Sequence, residues 1–177
     1  ELTVSESKTK NIFILVAEFD PMEPGHPYQA GLHCTVIDWF LSDMLPHEVC
    51  ALVEPLLERI KPFPIKAEGI EDFGTPGQPL PVNIIKGEPA LWSLHNTVMD
   101  ALEARSAEFV HPDYVRTGWR PHVTVPHKTR AFAAGSTHTV RALYLIEAIG
   151  SIENGDKIVQ ARLRLGSDER QAETRSI

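Results

Sequence analysis

The chain has 177 residues, 42% of them hydrophobic and 23% charged, with a formal net charge of −7. That length buries a core without staples, and the composition is that of an ordinary globular domain. The negative balance argues against loose attachment to long nucleic acid, two cysteines build no disulfide framework, and no apolar run approaches the roughly 20 residues of a membrane span, so the cytoplasm is the default compartment.

Residues 1–10 are polar and read as a flexible start, 11–165 as one domain, and the charged tail 166–177 as disordered. Asn11 to Phe19 (NIFILVAEF) is apolar and β-branched, the pattern of a central strand. A Pro/Gly loop, Asp20 to Gly31, feeds the next apolar run, GLHCTVIDWF. Val49, Leu52, Val53, Leu56, Leu57 and Ile60 then recur at helical spacing, with Pro55 placed to kink or split the helix. FPIKAEGIEDF and PVNIIKG are strand candidates around the turn-rich GTPGQPLP. Pro89 opens a second helix with Leu91, Leu94, His95, Val98 and Leu102 on one face. The loop HPDYVRTGW leads into RPHVTVPHKT, and HTVRALYLIEAIG and DKIVQARLRLG close the domain as strands. The order describes an α+β protein made of two related halves.

Chemistry concentrates in two of these strands. Alternate side chains of a strand point to opposite faces. His33 and Thr35 therefore share one face while Leu32, Cys34 and Val36 take the other. His122 and Thr124 repeat the arrangement with Val123 and Val125 behind them. Two further His-x-Thr triplets exist, His95 to Thr97 and His127 to Thr129. The first lies in a helix, where positions two apart diverge, and His95 falls on the apolar stripe. The second follows Pro126 and lacks an apolar partner face, which leaves His127 as a weaker rival to His122.

LHCTV and PHVTV resemble the paired motifs of the two-histidine (2H) phosphoesterases, the superfamily of RNA 2′,5′ ligases and cyclic phosphodiesterases, over roughly residues 11 to 165. The resemblance implies a bilobal 2H phosphoesterase fold, in which two pseudo-twofold lobes of antiparallel strands with flanking helices enclose a central groove. It makes His33 and His122 an acid-base pair and gives Thr35 and Thr124 the phosphoryl oxygens. It implies no metal, no other cofactor and no obligate protein partner. Substrates in such a family are 2′,3′-cyclic phosphates, 2′,5′ linkages, RNA ends and, in viral relatives, cyclic oligonucleotide signals of bacterial defence.

The residues support that chemistry on their own terms. Two imidazoles near pKa 6.5 can each take or give a proton at neutral pH. Two hydroxyls donating to non-bridging oxygens stabilise a phosphoryl transition state. A metal hydrolase is the rival reading, but no His-Glu-x-x-His stretch occurs and Cys34 points away from His33. A non-catalytic nucleotide-binding module would show the same motifs.

Tyr28, Trp39, Tyr114 and Trp119 are placed to stack on bases, and Arg120 and Lys128 to contact phosphate. From Tyr114 to Ile146 there is no acidic residue, against Arg116, Arg120, Lys128, Arg130 and Arg141. A local basic zone on an acidic protein suits a small nucleotide or cyclic oligonucleotide better than a long polyanion.

Overall fold

The computed structural model describes residues 9–29, 31–124 and 132–166. Its strands are β1 (Asn11–Ala17), β2 (Cys34–Ser42), β3 (Phe63–Asp72), β4 (Pro81–Ile85), β5 (Glu108–Phe109), β6 (His122–Thr124), β7 (Thr137–Val140), β8 (Ala142–Ala148) and β9 (Lys157–Arg164). Among the described residues two α-helices join them, α1 (Pro46–Leu57) and α2 (Pro89–Glu103). These strands form one antiparallel sheet in the order β7-β3-β4-β6-β2-β1-β8-β9, with β5 pairing on β2. The order divides into four strands on either side of the β6/β2 junction, one motif in each half, and the halves interleave along the chain: β3 lies with β6, and β8 and β9 lie with β2. Only Arg141 separates β7, at one edge, from β8, next to the other edge. A flat sheet could not satisfy that connection, so the sheet curls into a half-barrel.

Strand parity sorts the core into two layers. Phe13, Leu15 and Ala17 of β1 and Leu143 and Leu145 of β8 pack beneath the helices. There they meet Val49, Val53 and Leu57 of α1 and Leu91, Leu94, Val98, Met99 and Leu102 of α2. Burial of each such side chain contributes about 1.5–3 kcal/mol. The alternate residues Ile14, Val16, Tyr144, Ile146 and Val159 form a smaller cluster on the concave face, joined by Met22, Tyr28 and Trp39. The first strand is thus apolar from Ile12 onward because both its faces are covered.

Helix ends follow local chemistry. Glu48 reaches back to the Leu45 amide at 2.7 Å ahead of Pro46, and the Glu88 side chain accepts from the Ala90 amide ahead of Pro89. Pro55 does not split α1: the helix runs through it and ends two residues later. The missing amide therefore falls in the terminal turn, where a lost backbone bond no longer interrupts a longer ladder. The single strand expected over 138–150 is two, broken at Arg141 where the chain passes from one half to the other.

The Pro/Gly loop after β1 lies along β9. Gly25 donates to the Val159 carbonyl, Val159 to His26, and Tyr28 to Lys157, at 2.7 to 3.0 Å. These bonds cover a sheet edge that would otherwise stand open. They also deliver Tyr28 to the concave face.

Candidate active site

The two motifs lie side by side. Cys34 pairs with Val123 across β2 and β6 in antiparallel register. That register sets His33 opposite Thr124 and Thr35 opposite His122. Cross-strand neighbours have Cβ atoms about 4.5–5.5 Å apart. Cys34 and Val123 are wholly buried beneath the helices, while the two histidines and two threonines are half-buried on the concave face. A local twofold axis thus passes between Cys34 and Val123. It gives each imidazole the other motif's hydroxyl as a neighbour.

Each histidine is oriented by the same backbone device. His33 Nδ1 lies 2.9 Å from the Gly31 carbonyl, and His122 Nδ1 lies 2.7 Å from the Arg120 carbonyl. A carbonyl only accepts, so Nδ1 carries the proton in both rings and Nε2 is the free nitrogen. The Tyr28 hydroxyl sits 3.0 Å from His33 Nδ1, and burial pushes its own pKa up to about 12. Phe73 packs its ring edgewise on His122 at 4.8 Å. Burial is the main cause holding both imidazoles below the usual histidine range. The carbonyl bonds oppose it in each case. The charge of His122 lowers His33 further, Arg120 lowers His122, and Asp38 raises His122.

A groove of about 760 Å³ opens over these groups. His33, Thr35 and His122 line it, together with Tyr28, Trp39, Trp119 and Arg120. Thr124 joins the row by its register on β6. Lys128 and His127 lie outside the described residues.

Trp119 lines the groove and is also packed into the wall behind it. Its ring is only 5% exposed and stacks on His95 at 4.1 Å, and its indole N–H donates to the Thr35 carbonyl. It braces the first motif from behind through that bond while its remaining edge lines the groove. His95 is buried as its place on the apolar stripe foretold. Its Nδ1 donates to the Val36 carbonyl at 2.7 Å, its Nε2 accepts from the Arg116 amide, and burial pushes its pKa below the usual histidine range.

Among the described residues, two arginines of the basic zone are paired with carboxylates. Arg116 is bound by Asp100 and Glu103. Arg120 pairs with Glu71 and lies over the Phe73 ring. It still lines the groove, as does Lys157 at the start of β9.

Several lining residues escaped the sequence reading. Alternation along β2 would place residues 33, 35, 37 and 39 on the wet face. The β1–β2 pairing instead shifts register between Phe13 and Leu15 and again between Leu15 and Val16. Val36 and Ile37 consequently both turn into the core, and Asp38 and Trp39 both turn into the groove. Phe73 and Asp72 arrive from the far end of β3, where no spacing tied them to either motif. Among the described residues no group of three or more His, Cys, Asp or Glu side chains could hold a metal ion.

The 2′-5′ RNA ligase superfamily model matches residues 16–148, three quarters of the chain and both motifs. The chain belongs to that superfamily. Solved structures agree in fold. The TT0787 protein of Thermus thermophilus superposes with a TM-score of 0.57 at 16% identity, covering 89% of this chain and 99% of its own. The LigT protein of E. coli complexed with 3′-AMP gives 0.58 at 14% identity over 89% of this chain and 99% of its own. LigT has also been solved with NADP+ (0.54 at 13% identity, 90% and 99% covered). No curated protein sequence matches. No helix among the described residues is long and apolar enough to cross a membrane.

Proposed function

We propose that this member of the superfamily is a metal-independent phosphodiesterase acting on RNA-type diesters of small nucleotides, with 2′,3′-cyclic phosphates or cyclic oligonucleotides as substrates. The observation that carries this reading is the pairing of Cys34 with Val123, which brings two imidazoles with free Nε2 atoms and two hydroxyls onto one concave surface.

One Nε2 accepts the proton of the attacking oxygen, a ribose 2′-OH or a water on a cyclic phosphate. The O–P bond forms as the opposite O–P bond breaks. The second imidazole, entering as imidazolium, gives its proton to the leaving oxygen. Thr35 and Thr124 donate to the non-bridging oxygens between them, where charge accumulates. At the end the two histidines have exchanged protonation states. Release of products and exchange with solvent restore them.

Two imidazoles without a strong nucleophile favour substrates that supply their own. A 2′-OH beside a 3′,5′ linkage is held near phosphorus at high effective concentration, and a five-membered cyclic phosphate releases strain. The superfamily's ligase name supports a second direction: run backwards, the same proton transfers form a 2′,5′ linkage from a cyclic phosphate and a hydroxyl.

The test is a panel of cyclic mono-, di- and trinucleotides read by mass in excess chelator. Turnover of ribonucleotide diesters is expected to survive the chelator and to vanish when the 2′-OH of a 3′,5′-linked substrate becomes 2′-H or 2′-O-methyl. Equal rates on the deoxy analogue would overturn the internal-nucleophile route. Loss of activity to chelator with recovery on adding a divalent ion would overturn the two-histidine assignment.

A further inference from the structure

We propose that Asp38, fixed by His111 between Trp39 and Tyr114, is a base-reading carboxylate that selects nucleotides whose base carries an amino group. The inference rests on the phosphodiesterase reading above and deepens it.

The bulges in β2 turn Asp38 into the groove next to Trp39. His111 Nδ1 donates to Asp38 Oδ2 at 2.7 Å, and the His111 ring contacts Tyr114 with centroids 5.7 Å apart. Tyr114 itself is 62% exposed and lines the same groove. The chain from Val110 is tied to this place by its amide, which donates to the Trp39 carbonyl. The result is a carboxylate with one oxygen held by a fixed donor, flanked by two aromatic side chains.

Its position suits a base. Asp38 is three residues beyond Thr35, about 10 Å at the rise of an extended strand, so a phosphate at the histidines leaves the sugar and base to run toward it. Asp113 also lines this end. Two carboxylates repel phosphate, so the anion belongs with the histidines and the neutral base with Asp38.

With Oδ2 engaged, Oδ1 can accept from an exocyclic amino group, the pairing by which carboxylates recognise cytosine N4. Uracil presents one N–H between two carbonyl oxygens, and those oxygens oppose a carboxylate. Cytosine and uracil therefore separate the hypothesis most cleanly, because they differ only along this edge.

The experiment compares kcat/KM for cytidine and uridine 2′,3′-cyclic phosphates with the full chain. Binding of cytidine and uridine 3′-monophosphates is measured in parallel. A preference for cytidine of about 10- to 100-fold is expected, the worth of one hydrogen bond to a charged group. Asp38→Asn, whose amide can donate to the uracil O4, should erase or invert the preference, mostly through KM. His111→Gln should reduce it partway. Equal handling of the two bases by the wild type overturns the proposal, and so does an Asp38→Asn variant that slows both substrates alike. If neither cyclic phosphate is turned over but the cytidine monophosphate binds more tightly, the phosphodiesterase reading fails and the base site stands. Equal binding of the two monophosphates sinks the base site whatever the turnover.

Discussion

On the β2 side of the twofold, His33 sits under a hydroxyl: Tyr28 reaches its Nδ1 from a loop sewn onto the edge of β9. On the β6 side, His122 sits against the edge of Phe73, with the Arg120–Glu71 pair above it and the Asp38 carboxylate within electrostatic reach. Yet each Nδ1 is bound to the carbonyl two residues before its own ring. The backbone device is duplicated and the side-chain surroundings are not. On the proposed mechanism a duplicated device gives two interchangeable proton carriers. Unequal surroundings can then hold one protonated while the other is neutral, which an acid-base pair requires.

The harshest way to break this comparison is to remove each ring in turn. His33→Ala and His122→Ala should each lower kcat by about 10²–10⁴-fold on a ribonucleotide diester, the usual worth of a positioned acid or base. A near-wild-type rate for either one would mean that the halves are alike in shape only.

Next come the hydroxyls. Thr35→Val and Thr124→Val should each cost about 1.5–3 kcal/mol of transition-state stabilisation, read as a fall in kcat/KM with the fold retained. The register sets each threonine beside the opposite motif's histidine, so the two losses should be similar. A silent Thr124→Val would show that the symmetry stops at the strands and does not extend to the chemistry.

How far the sequence disclosed this arrangement depends on where the period of two holds. From Leu32 to Val36 the alternation is regular, and the burial of Leu32, Cys34 and Val36 matches it residue for residue. One residue later it fails, because bulges have no signature in a single sequence of apolar residues, and Asp38 was hidden behind that failure. His95 was legible as core because its neighbours at helical spacing on α2 are buried with it. The stacking of Trp119 on His95 was not, because an indole before a strand looks the same whatever ring it meets. The pairing of Arg116 with Asp100 and Glu103, and of Arg120 with Glu71, was hidden for a related reason: a count of charges along the chain does not show which carboxylates the fold brings to them. Asp100 and Glu103 come from α2 and Glu71 from β3.

The mildest change sharpens the comparison most. On the proposed mechanism the active form of the pair has one neutral and one protonated imidazole, so it exists between the two apparent pKa values. Burial lowers both below the ordinary histidine value of 6.5, and the activity window should therefore centre below pH 6.5 and close as the pH rises through the upper value. Because the Gly31 carbonyl keeps the proton on His33 Nδ1 in both states, the Tyr28 hydroxyl can only accept from it, and in doing so favours the imidazolium. Tyr28→Phe should then shift the His33 limb of the kcat/KM profile to lower pH, leave the His122 limb in place, and reduce the rate at the optimum by less than about tenfold, the scale of one modest hydrogen bond. The limb that moves assigns the roles: the alkaline limb if His33 is the acid, whose protonated form is lost as pH rises, and the acidic limb if it is the base. An upward shift, or movement of both limbs together, would show that the hydroxyl does not act on His33 alone and that the two sides of the groove are not tuned independently.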